Sequence, residues 1–330
     1  MWGDSMDGTI TIHHNSGKRQ IELLKFIEEH LNSTVVSMEE DAGVIAKSVD
    51  VVSTDSFTVY PLFFPGGDIG KLAVTGSVND VVMLGAEPIY MTLSIILEEG
   101  FSLKSFECII NSLDNELRRN NLKILCGDTK VMNKGSLDGL VINTTCFGKS
   151  VGKPLSVTNV EPGNAIVLTG PIGLHGATIM ALRKGFDVSF NSDCRSLTPL
   201  LEIVKAFDIR TMRDATRGGV AQILNEIAAS AGCDIVINED MLLVPEGVKV
   251  ISEILGIDPL YLACEGTAAI FCSERDTGDV MDALNDLGFY PSFIGYVREK
   301  SVIPRVMLKN RYGVERVLPM LVEELTPRIC

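Results

Sequence analysis

Apolar runs with helical and with strand periodicity alternate through both halves of the chain, which confines it to an α/β or α+β architecture. In the first half the spacing predicts helices over Gln20–His30, Ile69–Leu84 and Leu103–Asn120. Strands are expected over Val49–Ser53, Tyr90–Leu97, Lys123–Cys126 and Leu140–Cys146. A connector from Gly148 to Gly163 carries Lys149, Lys153, Pro154 and Pro162. Beyond it, strands are expected at Ala165–Thr169, Asp234–Ile237, Ala268–Cys272 and Phe293–Tyr296. Helices are expected at Ala177–Lys184, Leu200–Phe207, Val220–Ala231 and Val248–Leu255. The reading divides the chain into residues 1–152, 153–317 and a tail, 318–330.

Charge narrows the function. With 29 basic and 43 acidic residues the net charge is -14, which excludes a general nucleic-acid binder. An anionic substrate would need a metal ion or local donors to offset repulsion. No apolar run approaches ~20 residues, so no membrane span is expected. The start, Met1-Trp2-Gly3-Asp4, has no basic and apolar leader pattern, so the cytoplasm is the expected location. The eight cysteines form no CxxC pair and read mostly as small core hydrophobes. Cys330 differs, because it is the final residue. A thiol there can enter a pocket, be loaded and leave, or it can be a chance terminal residue.

Several acidic residues end apolar runs: Asp55 after Val51–Thr54, Asp80 after the Ile69 helix, Asp128 after Ile124–Gly127. Asp41 lies in an acidic turn. Each alone is as well explained by capping or turn formation. Together with Lys71 and Lys130 they make a nucleotide–Mg²⁺ site, since Mg²⁺ takes carboxylate, water and phosphate oxygens. Pro65–Leu72 holds Gly66, Gly67 and Lys71 at a helix start. It lacks the P-loop spacing, so it is either an anion-binding turn or a structural one. Gly170–Gly176 misses the dinucleotide spacing and is expected to serve close strand–helix packing. Asp214–Val220 is a glycine turn that either contacts phosphate or starts a helix. Glu265, before an apolar strand, is a general base if buried and a plain turn residue if exposed.

These motifs together resemble the HypE-type hydrogenase maturation proteins, of the ATP-binding superfamily that includes aminoimidazole ribonucleotide synthetase and selenophosphate synthetase. The most specific segments are Thr54–Phe57, Pro61–Ala73, Val78-Asn79-Asp80, Ile96–Gly100, Gly127–Val131, Asp214–Val220 and the terminal Pro327-Arg328-Ile329-Cys330. The likeness runs from about His14 to Cys330. Departures are Asn15 and Lys18 in a glycine-rich start, Leu174 where Asp is usual, and Thr326 where Leu is usual.

The resemblance implies a two-domain aminoimidazole-ribonucleotide-synthetase-like fold. Residues 1–152 would bind ATP and pair with a twin, and the flexible tail would carry Cys330. It implies an ATP-dependent carbamoyl dehydratase that converts a carbamoyl group on Cys330 to a thiocyanate, the cyanide source for the iron of [NiFe]-hydrogenase. Asp41, Asp55, Asp80 and Asp128 would hold Mg²⁺. These four, with Gly66, Gly67, Lys71, Asn79 and Thr129, would hold ATP. Lys130 and Glu265 would handle protons beside Cys330. The implied partners are a second copy, a HypF-type carbamoyltransferase and a HypC–HypD-type iron scaffold. Two alternatives stay open: a synthetase of the same superfamily acting on a free substrate, and a non-catalytic maturation scaffold.

Overall fold

The structure is a computed structural model that describes residues 10, 26–27, 29–31, 49–153, 155–321 and 325–330. Asp41, the stretch 14–18 and most of the Gln20–His30 helix lie outside the described residues. The first half comprises β1 (Val51–Phe57), the short pair β2 (Phe63–Phe64) and β3 (Gly67–Asp68), and α1 (Ile69–Met83). It continues through β4 (Ala86–Glu98), α2 (Leu103–Arg119), β5 (Lys123–Met132) and β6 (Leu140–Ser150). Its sheet runs β1-β6-β4-β5, antiparallel except for the parallel β4–β5 pair.

The second half comprises β7 (Ala165–Leu168), α3 (Leu174–Arg183), α4 (Leu200–Ala206), β8 (Ile209–Asp214) and α5 (Gly219–Ala231). Then come β9 (Cys233–Asn238), α6 (Glu246–Leu255), β10 (Ala268–Cys272), α7 (Thr277–Asp286), β11 (Ser292–Lys300), β12 (Val306–Lys309) and β13 (Glu315–Leu318). The seven-stranded sheet runs β13-β12-β9-β11-β7-β10-β8. Helix α7 and strands β2, β3, β8, β12 and β13 are the elements that periodicity did not reveal. Ile209–Asp214 sets Arg210 and Arg213 among its apolar residues, and β12 and β13 are only four residues each.

Helix α1 organises the first half. Asp68 caps it, accepting from the Gly70 and Lys71 amides at 2.8 and 3.0 Å, so its free donors are already partly satisfied. It is buried on nearly every face, as an apolar helix must be when both sides are covered. Two glycines permit this. A Cβ on Gly70 would lie 2.2 Å from the Ile109 carbonyl of α2, and one on Gly76 would lie 2.6 Å from the Phe57 ring of β1. The surrounding core is continuous between the halves, joining Val78, Val82 and Leu117 to Ile179, Leu200, Met212 and Ile270. It also takes in Ile329 from the chain end.

Gly170–Gly176 serves close backbone packing, as expected, but against the turn before β10 rather than against a strand. Gly173 is left-handed (φ 78°) at the N-terminus of α3. A Cβ on Gly176 would lie 2.8 Å from the Ala263 amide, so the segment packs backbone to backbone.

Gly76→Ala should destabilise the protein by about 1–3 kcal/mol, because the new methyl meets a ring that is itself fully packed. Chemical denaturation checks this; an unchanged midpoint would mean that Phe57 yields freely.

Candidate active site

Alternation along β1 sets the site. Ser53, Asp55 and Phe57 face α1, while Val52, Thr54 and Ser56 face outward. Ser53 Oγ donates to Asp80 Oδ2 at 2.6 Å, near the C-terminal end of α1. Asp214, at the end of β8, enters the same space through the pairing of β8 with β10. Glu265 comes from the turn before β10. Asp55, Asp80, Asp214 and Glu265 line one cavity of about 190 Å³ with Thr216, Arg217 and Cys330. Asp80, Asp214, Thr216 and Arg217 also form a wall of an adjoining cleft of about 440 Å³, closed by Arg213, Gln222 and the tail residues Leu321, Leu325 and Thr326.

Crowded carboxylates behave accordingly. Burial pushes Asp80 up, and the charge of Asp55 adds to this; the Ser53 hydroxyl, Arg213 and Arg217 work in the opposite direction. Asp55 is likewise raised by burial, against its bond from the Ser56 amide and the charge of Arg217. Asp214 rises from 3.8 to about 7, through burial and then the charge of Asp80. Glu265 is held well above the carboxylate range by burial and then by Asp214 and Asp193. Its Oε1 has no partner among the described residues. Asp193 positions it: the Glu265 and Gly266 amides donate to Asp193 Oδ1 and Oδ2 at 3.1 and 3.0 Å.

This donor set fits a divalent cation that arrives with phosphates. The described residues contain no group of three His, Cys, Asp or Glu side chains set to hold a metal unaided. Mg²⁺ needs only one or two carboxylates when phosphate and water complete its shell. Asp55, Asp80 and Asp214 are the residues to supply them. Arg213 and Arg217 line the same cleft and could offset phosphate charge within an acidic protein.

Cys330 is firmly seated. Its terminal carboxylate accepts from the Thr58 amide at 3.0 Å and the Thr58 hydroxyl at 3.2 Å. His175 Nε2 donates to the Ile329 carbonyl at 2.8 Å, so Nδ1 is the acceptor for the Ser192 hydroxyl at 2.7 Å. Burial lowers His175 to about 4, which keeps the ring neutral in this tautomer. Ile329 is fully buried.

The other sequence candidates lie elsewhere. Lys71 Nζ donates to the Gly66 carbonyl at 2.9 Å, and Lys71 lines a separate groove with Glu116, Arg119 and Arg195. The Gly66–Gly67 turn packs against Ser192, where a Cβ on Gly66 would lie 2.7 Å from that carbonyl. It is thus a structural turn in this chain. Asn79 is buried with its amide committed, Nδ2 to the Arg195 carbonyl at 3.1 Å and Oδ1 to the Leu197 amide at 2.7 Å. Asp128, Thr129 and Lys130 sit on the edge strand β5, about 14 Å from β1 across three ~4.8 Å strand spacings. Asp128 and Lys130 are exposed, on the face opposite Thr129, whose buried Oγ1 has no partner among the described residues. Within one chain these three do not meet Asp55 and Asp80. Sequence reading passed over Asp214 as a ligand and missed Asp193. Asp214 shared the signal of the other aspartates, an acid ending a strand, but its strand was unrecognised. Asp193 lies in an irregular stretch without a signal.

Residues 39–150 match the family model "AIR synthase related protein, N-terminal domain" and residues 161–306 match "AIR synthase related protein, C-terminal domain". The fold is therefore that of the AIR-synthase-related class. The chain is 37% identical to carbamoyl dehydratase HypE of Escherichia coli (strain K12) over 336 residues, 97% of this chain and 99% of that protein. A crystal structure of hydrogenase maturation protein HypE in complex with ATP matches with TM-score 0.92 at 35% identity, covering 98% of this chain and 100% of that one. A chain of a HypE–HypF complex matches with TM-score 0.78 at 35% identity, covering 92% and 100%. The chain belongs to the HypE family of hydrogenase maturation proteins.

Asp214 gives a pH test. Its folded pKa, about 7, lies above its ordinary 3.8, so between those values the folded state binds the extra proton. Stability is fully present below about 3.8 and falls as pH rises through about 7. Asp214→Asn should therefore raise the melting temperature at pH 8 and leave it nearly unchanged at pH 4. An equal shift at both pH values would remove the electrostatic account.

Proposed function

We propose that this protein is an ATP-dependent carbamoyl dehydratase working on its own C-terminus, converting S-carbamoyl-Cys330 to S-cyano-Cys330. One observation carries the reading: the terminal thiol shares a cavity with Asp55, Asp80, Asp214 and Glu265, whose Oε1 has no partner among the described residues. Family membership supports the activity, and ATP in the related HypE structure supports the nucleotide.

The reaction is S–C(=O)–NH₂ + ATP⁴⁻ → S–C≡N + ADP³⁻ + HPO₄²⁻ + H⁺, in which one of the two nitrogen protons ends on phosphate and the other is released. ATP supplies the phosphoryl group that turns the carbamoyl oxygen into a leaving phosphate, and Mg²⁺ supplies charge neutralisation. Asp55, Asp80 and Asp214 hold the cation, and Arg213 and Arg217 orient the phosphates. Glu265 accepts a nitrogen proton of the carbamoyl group. Its high proton affinity makes it a strong base once ionised, and Asp193 fixes the backbone that presents it. The buried surroundings limit water, which protects the thioester-like carbamoyl group from hydrolysis.

Homodimerisation is part of the proposal. The face of β1-β6-β4-β5 that carries Asp128 and Lys130 is turned away from the cavity of the same chain. Lys130 therefore serves a reacting group only across an interface between two copies. A HypF-type carbamoyltransferase would load Cys330, and a HypC–HypD-type iron scaffold would accept the cyanide. A chain of a HypE–HypF complex among the structural relatives supports the first of these partners. The cytoplasm is the proposed location.

Incubation with a carbamoyltransferase, carbamoyl phosphate and ATP should give a Cys330 peptide whose carbamoyl adduct loses one water by mass spectrometry. Cys330→Ala should give neither adduct. Glu265→Gln should load normally but dehydrate about 10²–10⁴-fold more slowly, the range for loss of a general base. Turnover of a free substrate that survives Cys330→Ala would favour a synthetase instead, and loading without ATP hydrolysis a scaffold.

Mixing inactive Lys130→Ala and Cys330→Ala copies tests the composite site. Mixed dimers should regain dehydration. Absence of recovery, with exchange of copies verified, would remove Lys130 from the partner's site.

A further inference from the structure

The last residues are gripped along their backbone. Arg183, in the last turn of α3, donates through Nη1 to the Pro327 carbonyl at 2.7 Å and through Nη2 to the Arg328 carbonyl. Its Nε donates to the Tyr60 carbonyl at 2.7 Å, which fixes the guanidinium plane against the segment that also carries Thr58. The Tyr60 amide donates to Arg328 O at 3.3 Å, His175 to Ile329 O, and Thr58 to Cys330 O. Three successive carbonyls, of Pro327, Arg328 and Ile329, and the terminal carboxylate of Cys330 thus each accept a bond from the body of the protein.

Side chains complete the grip. Ile329 joins the main core, while Arg328 donates to the Thr58 carbonyl at 2.9 Å and to Asp138 at 2.6 Å. Arg328 has φ of 53°, an unfavourable region for a residue with a Cβ. Such a conformation persists only where its surroundings over-determine it. Here the left-handed bend sends Ile329 into the core and Cys330 into the cavity.

We propose that Arg183 is a positioning residue, whose guanidinium reads the Pro327 and Arg328 carbonyls so that the chain end docks as an internal peptide ligand with its thiol in the acid-lined cavity. The docking claim stands on the contacts alone; its value for catalysis rests on the reading that Cys330 carries the reacting group. The fork matters more than the charge. A planar guanidinium spans two adjacent carbonyls and a third, of Tyr60, on the facing loop, whereas a Lys ammonium offers one point of attachment. Because these bonds go to main-chain atoms, they hold the segment whether or not the thiol is loaded.

The cysteines supply the assay. Cys330 is half-buried in a cavity of about 190 Å³, so a bulky fluorescent maleimide reaches it faster when the tail is undocked. In the full-length protein Cys330 should label more slowly than exposed Cys108, followed peptide by peptide by mass spectrometry. Arg183→Gln should accelerate Cys330 at least about tenfold, as expected when charge-assisted hydrogen bonds to the docked state are lost. Arg183→Lys should fall between the two. Buried Cys146 and Cys264 report global unfolding and should remain unlabelled throughout. The proposal is overturned if Cys330 labels equally fast in wild type and Arg183→Gln with Cys146 protected, or as fast as Cys108 in wild type. If Arg183→Gln also exposes Cys146, Arg183→Lys decides: an unchanged Cys330 rate overturns the proposal and a faster one supports it. Dehydration of S-carbamoyl-Cys330 by wild type is scored separately. Its absence alongside the expected labelling pattern would sink the catalytic reading and leave the clamp standing.

Discussion

Burial of α1 on nearly all sides is the constraint from which the site follows. An apolar helix between a sheet and a second half can only be packed if its neighbours approach closely, and Gly70 and Gly76 allow that approach. Its cap, Asp68, removes the N-terminus from anion binding, so the functional end is the other one. There Asp80 faces Ser53 and the cavity, while the adjacent Asn79 faces away and ties down Arg195 and Leu197. That tie bears on catalysis at a distance. The same loop carries Asp193, which holds the Glu265 and Gly266 amides. One helix thus positions a carboxylate directly and a second through a loop.

Four carboxyl groups brought together this way repel one another and lose hydration, and their raised proton affinities express both costs. Such an arrangement is poor for stability and suited to a cation with phosphates. The same cost explains why the chain end is held by main-chain bonds. A thiol beside these acids gains no attraction from them, so its place is set by Arg183, His175 and Thr58 and by the burial of Ile329.

Much of the architecture was legible in the chain. Helices α1 and α2 and strands β4, β7 and β10 follow from periodicity, and the close packing of Gly170–Gly176, though not its partner, from its spacing. Asp55, Asp80, Glu265 and Cys330 were singled out from local context and meet in one cavity. Lys71 was not separable from a phosphate ligand by its motif, because its bond to the Gly66 carbonyl depends on how the β2–β3 turn folds back. The sheet order put Asp128 and Lys130 beyond reach within one chain. Alternation along β5 turned them to the exposed face, a one-residue matter that the pairing register fixes.

The sequence by itself determined the alternating α/β order, the glycines that demand close packing, the acidic candidates and a terminal thiol. These are local properties, carried by periodicity and residue type. Only the tertiary structure decided which acids converge and where the thiol rests. The bonds that seat the tail join residues 144 to 272 positions apart, and no local pattern records them. Cys330 was legible as a nucleophile at a chain end. Its cavity, its clamp and its neighbours were settled by the packing of two halves around α1.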